Sequence, residues 1–533
     1  MLRYFRSSFV FIPIALMFAP NLYGQKVADE SADQAQRPNI LWICPDGQRW
    51  DTIRSLGNPH IRTPNLDRLV ATGVTFERAY CQSPICSPSR AAFLTGRYPF
   101  ATGVLGNGQE FFPPDERLIT RTLADVGYDC ALVGKLHLSA IRERLGNGIQ
   151  RNRVEPRPDD GYRVFHWDHH PGFEVRGHRA EYLDWVNAHG QDFRELRAQG
   201  NVPPHLHQPA WCAEKAIEFI RDARSPWLLS FNCFQPHGPL DLPADWTEWF
   251  DVDSVPGPAF QDSDLTMQNE YLKDVDFVYR PIAARRPDEW NLAALEGDQR
   301  GISRIAGHPM KIYQAAYWAT IELVDRQIGR ILDVLEETGQ LENTIVIYHS
   351  DHGYPIGDHG LIGSGCRFYE GYVHVPFIIS WPGHFREGLR AKGLVELIDV
   401  TPTLLDVLGL PIPDNMHGQS LVPVLSGAGD PDRIKEGVRS AWYHAYEDYQ
   451  PKGSDRPPMK GTYATMYRTE RYKLVVYHGL EIGELYDMQA DPNEFQNLWD
   501  SPQHVDVKLR LLKASFDKSM RSIDRGPRRI GSA

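Results

Sequence analysis

Five short apolar runs recur along the chain: NILWICP at 39–45, ALVGK at 131–135, WLLSFNCF at 227–234, TIVIYHS at 344–350 and VPFIISWP at 375–382. They are bounded by turn residues such as Pro45-Asp46-Gly47 and are apolar on successive positions, the pattern of strands buried on both faces. Helical patterns lie between them. The longest carries Ile321, Val324, Ile328, Ile331, Leu332 and Leu335 at helical spacing, with Gly339 placed to cap it. Buried strands alternating with amphipathic helices predict an α/β fold with a large, mixed but mostly parallel sheet flanked by helices. In such open sheets the ligand site lies beyond the carboxyl ends of the strands.

The tail has a different character. Aromatic and β-branched runs such as TYATMYRTERYKLVVYH predict an antiparallel sheet in a smaller C-terminal α+β domain. A length of 533 residues fits two domains, read as a catalytic one over 37–430 and a C-terminal one over 431–533. Residues 145–210 and 240–307 are long, polar and weakly periodic, and read as insertions that shape a substrate site. A net charge of −12 with no compensating basic run excludes a nucleic-acid partner.

At the N-terminus, Arg3 and Arg6 precede an apolar stretch from Phe9 to Ala19, followed by a polar segment through Gly24. That is a signal-peptide pattern over residues 1–25, too short for a bilayer span of roughly 20 residues. The first cysteine is Cys44, so no lipid-anchor cysteine stands near the cleavage region. The expected protein is periplasmic or secreted, with no membrane anchor. Seven cysteines in an oxidising compartment leave at least one unpaired or chemically altered. Cys44, Cys130 and Cys233 sit in apolar runs and read as buried free thiols.

Chemistry-bearing residues gather at the predicted strand ends: Asp46 after the first run, Lys135 and His137 after the second, His237 after the third, and Asp351-His352 after the fourth. Singly, such residues are usually helix caps, turns or structural histidines; together on one rim they read as one site. Asp46, Asp351 and His352 offer oxygens and one imidazole, which suits a hard divalent ion, Ca²⁺ or Mg²⁺. Cys81 and Cys86 lack C-x₂-C spacing, which argues against structural zinc. Cys86 begins a helix-start pattern with Pro88 in the first turn and Gly96 at the end, and Arg90 lies four residues on, near it on one face. The combination predicts a nucleophile position beside a metal, facing an oxyanion that these residues alone do not name. The cluster His166-Trp167-Asp168-His169-His170 reads as an exposed loop, with a substrate wall or a second metal site as the alternatives.

The segment CSPSRAAFLTGR, Cys86 to Arg97, resembles the C-x-P-S-R-x-x-x-L-T-G signature of the type I sulfatases of the alkaline phosphatase superfamily. Supporting similarities run along the chain in order, among them RPNILWICPDGQRWD, TPNLDRLVATGVTF, NTIVIYHSDHG, GDHGL, VPFIISWPG and ELYDMQADPNE. The resemblance implies an alkaline phosphatase-like fold and a sulfuric ester hydrolase. Cys86 would be oxidised to formylglycine by a formylglycine-generating maturation enzyme, and its hydrated gem-diol would supply the attacking oxygen and a Ca²⁺ ligand. Asp46, Asp351 and His352 match metal-binding positions. Arg90 would hold the formylglycine and offset charge, and Lys135 would bind the diol and the sulfate. His137 matches the base that expels sulfate, and His237 the residue that contacts sulfate and protonates the leaving alcohol. The implied substrate is a sulfated saccharide.

Two positions depart from that pattern. Gly47 stands where relatives carry Asp or Gln, so water or backbone must complete the metal shell. Ser364 stands where they place a sulfate-binding lysine, with Arg367 as the nearby cation that could reach in. The departures leave two alternatives beside a working sulfatase: a phosphodiester or phosphonate monoester hydrolase on the same fold, or a weakly active or non-catalytic binder of sulfated glycans.

Overall fold

The computed structural model describes residues 37–144, 150–171, 175, 180–224, 226–275, 283–293, 307–443 and 462–523. The signal-peptide pattern of residues 1–25 lies outside them, as do parts of both polar insertions. The chain from Pro38 to Ala533 forms one compact unit.

Its centre is a sheet of nine strands among the described residues. The strands are β1 (Asn39–Ile43), β2 (Gly73–Tyr80), β3 (Asp129–Gly134), β6 (Val164–Trp167), β7 (Trp227–Asn232), β8 (Thr344–His349), β9 (His374–Val375), β10 (Phe377–Ser380) and β11 (Leu389–Glu396). The strands β4 (Arg142–Arg144) and β5 (Gln150–Asn152) pair separately with each other. The order is β11-β2-β10-β8-β1-β7-β3-β6, with β9 beside β2. From β8 through β6 every pairing is parallel; β10 is antiparallel to both its neighbours.

All five residues of β1 are buried, and successive side chains enter opposite layers. Ile40 and Trp42 pack with one core cluster, while Leu41 and Ile43 pack with the cluster on the other face. This double burial is why the run is uniformly apolar. The long helix Pro309–Glu337 covers one side, and Gly339 follows it in the left-handed region, as the spacing predicts.

The second sheet is antiparallel, in the order β12 (Gly437–Trp442), β13 (Tyr463–Thr469), β14 (Tyr472–His478) and β15 (Gly483–Asp487). On one face Tyr467, Leu474 and Leu485 pack with Leu511 of the helix Val505–Arg521. On the other, Trp442, Ala464, Met466, Val475 and Tyr477 join the main core. The two sheets therefore share one hydrophobic interior.

Parallel register sets the site. Ile43 lies level with Phe231 and with Tyr348, and Gly134 lies level with Asn232. The carboxyl ends of β1, β3, β7 and β8 thus open onto one rim, where the chain delivers Asp46, Lys135, His237 and Asp351.

Candidate active site and its metal-binding cluster

The nucleophile position is carried by the helix Cys86–Thr95, every residue of which is buried. Phe93 wedges it against the sheet, its ring centroid 5.6 Å from Trp42 of β1 and 4.7 Å from His349 of β8. Trp42 Nε1 donates to His349 Nε2 at 2.7 Å, so the two strands that bear the site's carboxylates are tied beneath the helix. Gly96 ends the helix in the left-handed conformation.

Asp46, Cys86, Asp351 and His352 converge with one potential ligand atom from each within 4.8 Å of the others, all four side chains buried. Cys86 Sγ, the thiol at the position where a mature formylglycine would present oxygens, lies 3.1 Å from His352 Nε2, 3.8 Å from Asp46 Oδ1 and 3.6 Å from Lys135 Nζ. His352 Nδ1 donates to the Gly353 carbonyl at 2.8 Å, which fixes the tautomer and leaves Nε2 for the cluster. Lys135 Nζ donates to Asp46 Oδ2. Arg90 donates through Nε to Asp351 Oδ2 at 2.9 Å, through Nη2 to Asp46 Oδ2 at 3.3 Å, and through Nη1 to the Lys135 carbonyl at 3.1 Å. Its guanidinium therefore orders both carboxylates.

The charges fit a divalent cation. Burial would raise the Asp46 carboxyl, but Lys135, His237, Arg90 and His352 together hold it well below the usual carboxylate range. Burial would lower His352, yet Asp351, the Cys86 sulfur and Asp46 lift it to about 10. The carboxylates thus draw positive charge onto Nε2, the atom at which a divalent ion would take the place of that proton. Once the Cys86 thiol is replaced by oxygens, the donor set is oxygen-rich with a single imidazole, suited to a hard divalent ion.

Gly47 takes a part that its missing side chain does not suggest. Its φ is +75°, and its amide donates to Asp351 Oδ1 at 3.0 Å, alongside the amide of His352 at the same distance. A Cβ at 47 would lie 3.7 Å from His352 Cε1, so the glycine borders the imidazole directly. Its carbonyl accepts from Tyr317 Oη at 2.6 Å. Tyr317 therefore engages the Gly47 oxygen, one of the backbone groups considered above for completing the metal shell.

Of the cluster, Cys86 opens onto a cavity of about 750 Å³, lined also by Lys135, His137, His169, His170 and His237 among others. Burial, reinforced by Lys135, pushes His137 and His169 well below the ordinary histidine range and His170 down to about 3. Burial lowers His237 as well, with Asp46 opposing and Lys135 assisting. His237 Nδ1 donates to the Gly238 carbonyl, leaving Nε2 available. The walls are thus neutral imidazoles able to accept protons, with Lys135 as the cation at the floor.

Three expectations are corrected. Arg367 turns into the core, where Nε donates to Gln268 Oε1 at 2.8 Å and Nη1 to the Cys366 carbonyl at 2.9 Å, so it does not reach the cavity. Ser364 is half-buried and is not among the cavity-lining residues either. The HWDHH cluster is not an exposed loop. Trp167 and Asp168 are buried, His169 Nδ1 lies 2.8 Å from His170 Nδ1, and the His169 ring meets His137 edge-on at 4.4 Å. The helix N-terminus at Cys86 is also less open than its pattern suggests, because the Ser87 amide donates to Asn107 Oδ1 at 2.8 Å. All seven cysteines, Cys81 included, are buried, and no disulfide joins them.

Arg142, Arg153 and Glu155 are missed by the sequence reading. Arg153 lines the cavity from the insertion, and Arg142 from β4 just before it. Glu155 is buried and accepts from three backbone amides of the loop that carries Lys135 and His137. Burial raises its carboxyl above the ordinary value while those amides pull it back.

Beyond this geometry, the sulfatase family profile matches residues 38–410, most of the chain. The chain belongs to the sulfatase family. As a sulfatase it is a hydrolase of sulfuric esters, and the family implies a metal ion and a formylglycine. Residues 357–521 of this sulfatase also match N-sulphoglucosamine sulphohydrolase, C-terminal. An N-acetylglucosamine-6-O-sulfatase of Bacteroides thetaiotaomicron is 27% identical over 94% of this chain and 89% of its own length. An arylsulfatase of Clostridium perfringens is 28% identical over 92% of this chain and 96% of its own. Among solved structures, a phosphonate monoester hydrolase of Agrobacterium radiobacter superposes with a TM-score of 0.73 at 24% identity, covering 92% of this sulfatase and 97% of that chain. No helix among the described residues is long and apolar enough to cross a membrane.

Proposed function

We propose that this sulfatase removes sulfate from a sulfated saccharide after Cys86 is oxidised to formylglycine by a maturation enzyme. The observation that carries the proposal is the convergence of Asp46, Cys86, Asp351 and His352, with Lys135 Nζ 3.6 Å from the Cys86 sulfur. A hydrated formylglycine at 86 would supply the attacking oxygen, and a divalent ion, read as Ca²⁺ from the oxygen-rich donor set, would offset charge on the sulfuryl group. Asp46, Asp351 and His352 would hold that ion. Arg90 keeps the two carboxylates in place.

Lys135 places its ammonium beside the nucleophile position, where it neutralises charge as the sulfate ester is attacked. His237 and His137 line the same cavity: His237 would protonate the leaving oxygen after taking up a proton, which burial opposes and the Asp46 carboxylate favours, and His137 would take the proton whose removal releases sulfate. Neutral His137 suits that second step, since only an unprotonated imidazole can accept. Ser364 and Arg367 stay out of the reading, which leaves Lys135 and the ion to carry the charge otherwise assigned to a second lysine. The N-terminal pattern supports export to the periplasm or beyond, and residues 37–430 are read as the catalytic part.

The test is sulfate release from a panel of sulfated mono- and oligosaccharides, with formylglycine verified at 86 by a peptide mass about 18 units below the thiol form. Verified formylglycine with no sulfate released from any member would overturn the saccharide reading. Matched aryl sulfate and aryl phosphodiester substrates decide between the two ester classes, since a preference for the phosphodiester would sink the sulfate assignment.

A further inference from the structure

We propose that Glu155, from the polar insertion, is the positioning residue that holds His137 in place on the loop that follows Lys135. That loop is demanding. It leaves β3 through Gly134 at φ +102°, where a Cβ would fall 2.1 Å from the Asn232 carbonyl oxygen. It then turns through His137 at φ +55°, a conformation that is strained for a non-glycine residue and persists only where the surroundings over-determine it.

Glu155 supplies that determination. Its side chain is 3% exposed. Oε2 accepts from the His137 amide at 2.8 Å, and Oε1 accepts from the amides of Leu138 and of Ser139, the latter at 2.9 Å. The carboxylate is steadied in turn by Trp167 Nε1, 3.3 Å from Oε2, and Trp167 pairs in register with Gly134. One acid therefore closes a circuit from the end of β3, through the site loop, to the end of the neighbouring strand β6.

Three successive amides turned to one side make an anion-binding concavity. Here the protein's own carboxylate fills it. A sulfuryl group entering the cavity cannot settle on those amides and is left to Lys135 and the metal cluster. Glu155 thus fixes where His137 points and removes a competing seat for the substrate's charge. The proposal rests on the sulfatase reading only for the reaction that His137 serves.

The test is Glu155→Gln, which keeps the shape but turns an NH₂ donor toward amide donors. With a chromogenic aryl sulfate and verified formylglycine, kcat should fall at least tenfold while KM stays within twofold and Ca²⁺ affinity is retained. Thermal unfolding should remain well above the assay temperature. Unchanged kcat would overturn the proposal, as would a loss shared equally by folding and metal binding.

Where Glu155→Gln does not fold, Trp167→Phe removes only the indole donor. It should lower kcat by about two- to fivefold at constant KM, and no change in kcat there overturns the proposal. A readout without turnover separates this from the sulfatase assignment. The His137 ring signal in long-range ¹H–¹⁵N spectra, identified by its loss in His137→Ala, should shift in the Glu155 variant whichever ester the enzyme cleaves. A signal that stays in place overturns the proposal.

Discussion

His352 Nε2 stands 3.1 Å from the Cys86 sulfur while Nδ1 of the same ring donates to the Gly353 carbonyl. One imidazole is thereby fixed in tautomer and aimed at the nucleophile position. Replacing it tests whether it is a metal ligand. His352→Ala should weaken Ca²⁺ binding by roughly tenfold or more, read by calorimetric titration, with His352→Asn retaining more affinity because an amide oxygen can still coordinate. Equal affinities for wild type and His352→Ala would remove this residue from the ligand set.

Cys86 is only 4% exposed, at the start of a helix buried along its whole length. A maturation enzyme that must grip the surrounding chain cannot reach the sulfur in the folded protein. Unmodified protein, folded and then mixed with such an enzyme, should keep the thiol mass at residues 86–97. The same chain presented unfolded should lose about 18 mass units. Conversion at equal rates in both states would contradict the burial argument.

Asp168 is buried, accepts from Gln208 Nε2 at 3.0 Å, and is lifted by burial to about 7. A carboxyl whose folded pKa exceeds its unfolded one binds its proton more tightly when folded. Its contribution to stability is complete below about pH 4 and lost as pH rises through about 7. The urea midpoint of the wild type should carry a falling component between pH 4 and 7, which Asp168→Asn should flatten. An unchanged pH slope in the variant would show that Asp168 is not its source.

Arg142 lines the cavity, exposed, on β4, close enough for its charge to help lower His170. Arg142→Ala should raise KM several-fold for saccharides carrying a second sulfate or a carboxylate. KM for a small aryl sulfate should stay within twofold. Equal changes for both substrates would mean that the rim does not sort substrates by charge.

The strands were legible because burial on both faces writes an unbroken apolar run, and the site residues followed because each lies just past such a run. Asp46, Lys135, His237 and Asp351 are brought together by parallel register alone. Contacts that depend on side-chain direction were not legible. Arg367 and Glu155 are both charged residues in loops, yet one turns into the core toward Gln268 and the other reaches back under His137. The histidines at 169 and 170 looked solvent-facing because polar composition signals exposure only on average. Here the insertion folds inward and makes them a wall of the cavity.

The seven sulfurs carry a last consequence. All are buried and none is cross-linked, so the fold is held by packing and by ion pairs such as those of Arg90 rather than by covalent ties. Adding a thiol reductant to the folded protein should leave its unfolding midpoint where it was. A protein built this way asks little of the redox chemistry around it. The proposed function asks for one oxidation, at one sulfur, which would have to be made before the chain closes over that atom.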